Sequence, residues 1–439
     1  MTLPRLMPSN SSLLRLFRAV LLLCPLTPLL HGADPLMDRT QTELSRWQPR
    51  LPETTAKNAI PNSSFELASY GWSSLGEPAG WSTGLSSLYG TVTERESHEG
   101  RRSLEIVLGP GKTPVASFDV WPAATTVQHS PIAMNLGWIT IKPGETYTLS
   151  AYMKANRPGI PARLVMRFGN DLSASPSPHN EEKTVTLTEK WERYSFTFKA
   201  NDVSVCVGVG PDLRNQPDAE ATVWIDAVQF ERSDRATAYT PHADLEVSLD
   251  SGRLGHLYSV GSPVTLRLAV SNRAARSTEV NVSVSLTDYF DEPVPGFQHT
   301  VRVDAKGEIE ESIPLPPPGP GYYRLHAKIT APGLNDEIRF PLALIHEFAG
   351  SDALFGLNHP TPTIELMDQF RRAGVLWGRD WSCDWHQVEP QQDVFDWAES
   401  DRQIARLEQS GWKIMSMLPG FPSTKWSSSV PADHVVPPG

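Results

Sequence analysis

Aromatic side chains in the first third of the chain could provide flat surfaces for binding sugar rings. The sequence contains 13 Trp, and Trp and Tyr rings pack on apolar C–H surfaces while their polar atoms bond to hydroxyls. The candidates are Tyr70, Trp72, Trp81, Tyr89, Trp121 and Trp138. Trp72, Tyr89 and Trp121 stand among Gly, Ser and Pro, which predicts exposed substrate-binding rings. Trp81 and Trp138 are predicted core, and the competing interpretation places most Trp residues in the core.

Other kinds of chemistry leave no pattern in the sequence. No Cys/His cluster suggests zinc, no Gly-rich loop suggests a nucleotide, and no catalytic triad is visible. The net charge is −11 and no basic block occurs, which argues against nucleic acid as a partner. Cys206 and Cys383 fall in different predicted domains, so a disulfide between them is not expected.

The N-terminus has the layout of a secretory signal peptide, predicted over residues 1–33. Arg5, Arg15 and Arg18 precede an apolar stretch that is too short to span a bilayer, and small residues follow it. Cys24 leaves a lipoprotein anchor as the alternative to ordinary cleavage. The prediction is export to the periplasm, the cell surface or the medium, with no membrane span. Residues 34–57 lack periodicity and are predicted to be a linker.

Two all-β domains are predicted between residues 58 and 348. Over 58–241, apolar residues alternate with polar ones in short runs, for example at Tyr147, Leu149 and Met153. Period-two alternation marks half-buried strands, and many such strands predict a β-sandwich jelly roll. Residues 242–348 repeat the pattern over a length that suits an immunoglobulin-like β-sandwich.

The pattern changes at residue 352. Strands are predicted near residues 354–357, 375–377 and 414–418, with amphipathic helices between them that end at Gly374 and Gly411. Alternation of strand and helix predicts a parallel sheet. Residues 352–439 therefore read as an incomplete (β/α) TIM-barrel fragment, and the complete prediction is a multi-domain protein.

Residues 58–241 resemble carbohydrate-binding modules of families four and nine. The motifs are Asn58 to Glu66 at the first strand, Gly137 to Ser150 in the middle, and Trp224 to Glu231 at the last strand. The resemblance implies a polysaccharide or glycan ligand. Relatives often carry a structural calcium, and by the resemblance Glu66 and Asp226 are its carboxylate ligands. No other cofactor is implied.

Residues from Phe355 onward resemble the first βα units of clan A glycoside hydrolases, through Trp385 to Pro390 and Phe395 to Trp397. The resemblance implies a parent activity of hydrolysing O-glycosidic bonds in a polysaccharide. It places His359, Arg379 and Trp381 at the substrate face, while both catalytic carboxyls would come from later strands. Glu389 is predicted to be structural, so no catalytic residue is assigned and enzyme activity stays open. The alternative is a non-catalytic adhesion protein or a purely structural β-sandwich.

Overall fold

The computed structural model describes residues 50–51, 57–73, 90–109, 132–168, 179–216, 219–316, 318–358, 364–380, 383, 385–416, 424 and 426–427. The predicted signal peptide and most of the predicted linker lie outside these residues. Two residues of the predicted linker, Arg50–Leu51, form a short strand. Among the described residues, no helix is both long and apolar enough to cross a membrane.

The described residues of the first β-sandwich form twelve strands. They are β1 Arg50–Leu51, β2 Trp72–Ser73, β3 Thr91–Thr93, β4 Ser103–Leu108, β5 Ala133–Asn135, β6 Trp138–Thr140, β7 Thr146–Ala155, β8 Ile160–Phe168, β9 His179–Leu187, β10 Glu192–Lys199, β11 Ser204–Pro211 and β12 Ala221–Glu231. Sheet A joins β1, β6, β11, β5 and β2, with β8 and β9 continuing from β11. Sheet B has the order β10-β7-β12-β4-β3.

The core of this sandwich lies between sheets A and B. The alternating apolar residues predicted as strands supply it, for example Leu149 and Met153 from β7 and Leu164 and Met166 from β8, all at 0% exposure. Their period-two spacing places them on the inner face of each strand. The observed sandwich confirms the predicted all-β architecture of this region.

The second β-sandwich has eight strands in the part of the chain that the structure describes. They are β13 Leu245–Asp250, β14 Leu257–Ser259, β15 Val264–Asn272, β16 Thr278–Asp288, β17 Pro293–Val303, β18 Glu308–Leu315, β19 Gly321–Ala331 and β20 Leu334–Ile345. Sheet C has the order β13-β15-β18, and sheet D has the order β14-β20-β19-β16-β17. Leu266, Val282 and Leu342 lie in the core that these strands share.

The last described region is a small α/β unit. Its elements are β21 Phe355–Asn358, α1 Ile364–Arg372, β22 Val375–Asp380, α2 Trp385–Val388, α3 Ala398–Gln409 and β23 Lys413–Ser416. Strands β21, β22 and β23 pair in parallel in that order, as the alternation of strands and helices predicts. No closed barrel is evident in the part of the chain that the structure describes.

Candidate functional site

Trp72 lies in the core rather than on an exposed loop. Its side chain is 0% exposed, and its ring centroid is 5.2 Å from that of Phe65. Its Nε1 donates a hydrogen bond to the Asn62 carbonyl at 3.0 Å. The prediction that Trp72 is an exposed sugar-binding ring is therefore wrong, because the turn that precedes it, residues 61–71, is itself largely buried.

The other predicted rings have different outcomes. Trp138 is buried, as predicted. Tyr70 is half-buried and packs against the core of the second sandwich. Trp81, Tyr89 and Trp121 lie outside the described residues.

Glu66, one of the two predicted calcium ligands, is a buried carboxylate that holds a loop between β3 and β4. Its Oε1 accepts hydrogen bonds from the backbone N–H groups of Arg101 at 2.9 Å and Arg102 at 3.2 Å. Its Oε2 is buried and has no hydrogen-bond partner among the described residues. Burial, followed by the neighbouring carboxyl of Glu308, raises the pKa of Glu66 to about 8.

Asp226, the other predicted ligand, holds the same loop from β12. Its Oδ2 accepts hydrogen bonds from the N–H groups of His98 at 2.7 Å and Glu99 at 2.8 Å. A β-bulge in β12 begins at Asp226, and the next residue, Ala227, has a φ of 48°. Burial raises the pKa of Asp226 to about 7.

These two carboxylates have chemistry that suits a hard cation such as Ca²⁺. Both are desolvated, and one oxygen of Glu66 is unsatisfied. No group of three or more His, Cys, Asp or Glu side chains placed to hold a metal occurs in the described ranges. Since Ca²⁺ takes six to eight oxygens and accepts backbone carbonyls and water, two carboxylates would supply only part of its ligands.

The outer face of sheet B carries three half-buried rings that the sequence analysis did not single out. Tyr152 stacks on His98 with centroids 3.5 Å apart. The Lys154 ammonium lies 5.7 Å from the ring centroid of Trp191 and 5.0 Å from that of Trp224. Each ring already contacts another ring or a cation within the protein, so this face stabilises the sheet through cation–π and stacking contacts.

The outer face of sheet A has an apolar patch. The patch consists of five buried side chains: Ile132, Met134, Trp138, Val165 and Cys206. Val165 pairs in register with Gly208 of β11, where an added Cβ would lie 2.9 Å from Ile132. Strand β8 is therefore buried on both faces, with one face against the main core and the other against this patch.

A charged cluster lies beside the apolar patch and is defined by Arg163, Glu182, Asp212 and Arg214. Nη1 of Arg163 donates to Glu182 Oε2 at 3.0 Å. Arg214 lies 2.7 Å from the other Glu182 oxygen and binds both oxygens of Asp212, at 2.8 Å and 2.6 Å. The cluster thus brings together residues from β8, from β9 and from the segment after β11.

Burial and ion pairing oppose each other within the charged cluster. Burial tends to raise the pKa of Asp212, but hydrogen bonds from the side chain and backbone of Arg214 outweigh it, and the pKa lies below its ordinary value. Burial, and then the charge of Arg214, lowers the pKa of Arg163. Arg163 is 0% exposed, and its Nε and Nη2 have no hydrogen-bond partner in the described part of the chain.

One feature of the sequence points to this cluster. Arg163 occupies an outward position in a strand whose inward positions are Leu164 and Met166. An arginine at such a position is ordinarily read as solvated, and only the three-dimensional structure shows that this one is buried. Its pairing with Glu182 depends on the register between β8 and β9.

The α/β unit places one predicted substrate residue at a strand end. Arg379 is exposed near the carboxyl end of β22, while His359 and Trp381 lie outside the described residues. Glu389 is buried, and its two oxygens accept hydrogen bonds from Trp385 Nε1 at 2.7 Å and from the Asp393 N–H at 2.9 Å. These bonds suit the structural role predicted for Glu389.

The carbohydrate binding domain family CBM_4_9 matches residues 122–208. This segment includes strands β5 to β10 and most of β11, so the first sandwich contains a carbohydrate-binding module. Arg163, Glu182 and the apolar patch lie inside it. A comparison with curated proteins gives no match.

Three solved structures are similar to this chain, each with low sequence identity and a low TM-score. The CBM22-1–GH10 modules of Clostridium thermocellum endo-1,4-β-D-xylanase 10B, complexed with xylohexaose, show 19% identity and a TM-score of 0.26, covering 39% of this chain and 28% of that chain. The CBM22-1 xylan-binding domain of Paenibacillus barcinonensis Xyn10C shows 15% identity and a TM-score of 0.26, covering 40% and 94%. TmCBM61 in complex with β-1,4-galactotriose shows 14% identity and a TM-score of 0.25, covering 40% and 100%. TM-scores this low do not establish a shared fold or ligand.

Proposed function

We propose that the first sandwich binds a polysaccharide on the outer face of sheet A. The observation that carries this proposal is the charged cluster beside the apolar patch. Arg163, Glu182 and the patch lie in the segment that matches a carbohydrate binding domain, and Asp212 and Arg214 follow it in the chain. Small-ligand sites typically combine apolar walls with a few fixed polar groups. Tyr89 and Trp121 stay predicted contributors to sugar binding, without a described position.

Two groups of the cluster are partly exposed to solvent. The side chain of Glu182 is 26% exposed and that of Arg214 is 33% exposed, whereas Asp212 behind them is buried. The carboxylate of Glu182 accepts hydrogen bonds from sugar hydroxyls, and the guanidinium of Arg214 donates to them. Because Asp212 fixes the Arg214 side chain through two hydrogen bonds, that side chain loses little conformational entropy when a ligand binds.

Isothermal titration calorimetry against a panel of plant and algal polysaccharides tests this site. Glu182→Gln and Arg214→Lys should each weaken binding by about tenfold to a hundredfold, the size expected for a charge-assisted hydrogen bond. Trp191→Ala, on the outer face of sheet B, is the control and should retain the wild-type affinity. Loss of binding in the control alone would move the site to sheet B. Absence of binding to every glycan would favour a structural sandwich.

We also propose that Glu66 and Asp226 bind a structural calcium. The support is the pair of desolvated carboxylates that accept hydrogen bonds from one loop, together with the unsatisfied Glu66 oxygen. Calcium there would add stability to the first sandwich and neutralise two buried charges.

We propose that the α/β unit is the first part of a glycoside hydrolase barrel whose parent activity cleaves O-glycosidic bonds, with His359, Arg379 and Trp381 at its substrate face. Support comes from its three parallel strands and the position of Arg379. Glycosidases use a pair of carboxyls, about 5–5.5 Å apart in retaining enzymes, and Asp380 is the one acid that ends a strand of this sheet in the described residues. Purified chain should therefore release no reducing sugar. Turnover that Glu389→Gln abolishes would contradict the structural role of Glu389.

Export is the last element of the proposal. The basic, apolar and small-residue layout of residues 1–33 supports it. N-terminal sequencing of protein recovered outside the cytoplasm should show a mature chain that begins near Asp34. Recovery of the intact N-terminus from the cytoplasm would contradict it.

A further inference from the structure

One edge of the Arg163 guanidinium is unsatisfied. The Nε–H and Nη2–H groups of an arginine point in the same direction, as a fork that matches the two oxygens of a carboxylate. In Arg163 these are the two nitrogens without a hydrogen-bond partner among the described residues, whereas Nη1 is bonded to Glu182. The side chain is 0% exposed, so bulk water does not solvate the fork either.

The neighbouring acids do not fill this fork. Glu182 gives one oxygen to Arg163 Nη1 and the other to Arg214, and both oxygens of Asp212 are bonded to Arg214. The residue of β11 that pairs with Arg163 is Gly210, which contributes no side chain beside the guanidinium. A buried charged donor without an acceptor is costly, and this cost is relieved when a ligand supplies the acceptor.

We propose that the glycan bound on sheet A carries uronic acid residues, and that the Nε–Nη2 edge of Arg163 binds a uronate carboxylate through two parallel hydrogen bonds. This inference rests on the glycan binding proposed for the same face and adds the class of sugar. A carboxylate matches the fork in charge, planarity and oxygen spacing. A neutral hydroxyl offers one oxygen and no charge.

The test compares each polysaccharide with its own carboxyl-reduced form. Polygalacturonate, alginate and a glucuronate-bearing xylan are titrated, native and reduced, into the full chain by calorimetry at one fixed salt concentration. Wild type should bind at least one native polymer about tenfold to a hundredfold more tightly than its reduced form, as expected for hydrogen bonds to a charged group. In Arg163→Lys, which keeps the charge and loses the fork, this ratio should fall towards one.

Arg157→Lys is the matched control, because Arg157 is exposed in the turn before β8, and it should keep the wild-type ratio. The wild-type ratio decides the proposal even if Arg163→Lys does not fold. A second measurement on wild type alone is the Arg Nε–H spectrum, in which one resonance should shift on addition of sodium glucuronate and stay in place with glucose.

Two outcomes separate the two proposals. Equal binding of native and reduced polymers would overturn the uronate inference and leave glycan binding in place. Absence of binding to any polymer, neutral or acidic, would overturn both. If Arg163→Lys keeps the wild-type ratio of affinities for native and reduced polymer, another cationic side chain must bind the carboxylate. That result would overturn the assignment to Arg163.

Discussion

At the scale of single residues, the indole of Trp72 stabilises the first sandwich through ring packing and one buried hydrogen bond. Trp72→Ala removes the ring contact with Phe65 and the indole hydrogen bond to the Asn62 carbonyl, which keeps only the hydrogen bond from the Phe65 N–H at 3.2 Å. The expected cost is about 3–5 kcal/mol of unfolding free energy, measured by urea denaturation. Trp397, which is 46% exposed, is the control, and Trp397→Ala should change stability by no more than about 0.5 kcal/mol. Equal costs would contradict the buried position of Trp72.

The buried carboxyl of Glu246, at the junction of the two sandwiches, should make the stability of the protein depend on pH. Its Oε1 accepts a hydrogen bond from the Asn62 N–H at 2.8 Å. Burial raises its pKa above the ordinary value of 4.5, although that hydrogen bond and the charges of His242 and Arg273 oppose the rise. A carboxyl whose pKa is raised by folding contributes most stability below its ordinary pKa, and this contribution is lost as pH rises through the folded pKa.

Glu246→Gln should therefore gain thermal stability relative to wild type as the pH increases from 4 to about 8, because the amide never ionises. Differential scanning calorimetry of both proteins across this range measures the difference in melting temperature. Glu279→Gln, at an exposed position of β16, removes the same charge and should show little change in that difference. A flat difference for Glu246→Gln would mean that its carboxylate is fully compensated when charged.

At the scale of elements, the loop between β3 and β4 is positioned by the side chains of Glu66, from the turn before β2, and Asp226, from β12. Gly100 in this loop has a φ of +66°, and an added Cβ would lie 2.1 Å from Glu66 Oε1. Gly159, in the turn between β7 and β8, has a φ of +87° and nothing within 4 Å of an added Cβ. Gly100→Ala and Gly159→Ala thus share the cost of left-handed backbone, about 1–2 kcal/mol. Only Gly100→Ala also produces a steric clash, which is with the Glu66 carboxylate.

Gly100→Ala should destabilise the first sandwich more than Gly159→Ala does, because Glu66 must move and release the amides of Arg101 and Arg102. Chemical denaturation of the two variants gives the difference. Amide hydrogen exchange at Arg101 and Arg102 should speed up only in Gly100→Ala. Equal denaturation midpoints would show that the Glu66 side chain can move without loss of stability, and that its hydrogen bonds do not hold the loop.

Calcium binding would act on the same loop. If Glu66 and Asp226 bind Ca²⁺, stability rises by about 2.7 kcal/mol at a hundredfold excess over the dissociation constant. Addition of a chelator should then lower the melting temperature, and excess CaCl₂ should restore it. Glu66→Gln should abolish this response. Glu105→Gln should preserve it, since Glu105 is a buried acid that bonds to Trp224 and Arg95. A melting temperature that does not change when the chelator is added would exclude the metal.

At the scale of the whole molecule, the sequence predicts strands well where one face is apolar and the other polar. The alternation at Val282 and Val284 in β16 reflects a single buried face, because the residues between them are exposed, so the pattern and the structure agree. Strand β8 is buried on both faces, and its pattern of apolar and polar residues does not show that the Arg163 side chain is excluded from solvent. Contacts such as Glu66 with Arg101 depend on sheet register and loop path, which no local pattern encodes. The outcome for Trp72 has the same cause, because a turn rich in small residues can be packed as tightly as a strand.

The α/β unit should be the least stable part of the described chain. Its fully buried apolar cluster contains Met367, Leu407 and Trp412, whereas each sandwich has a core of many strands. Leu354 is 98% exposed and Met415 is 58% exposed, so β23 and the segment leading into β21 leave apolar surface in water. Unpaired strand edges and uncovered apolar side chains lower local stability and favour aggregation.

Limited proteolysis should therefore trim the chain towards His346 and leave residues 58–346 resistant, since stability against cleavage follows the free energy of local opening. Arg372 bonds to Glu347 and Ser259 at this boundary, so cleavage is expected beyond Arg372 first. Mass spectrometry of a time course identifies the products, and calorimetry of the trimmed protein should show the sandwich transitions unchanged. Early cuts inside either sandwich, with the α/β unit intact, would reverse the predicted order of stability.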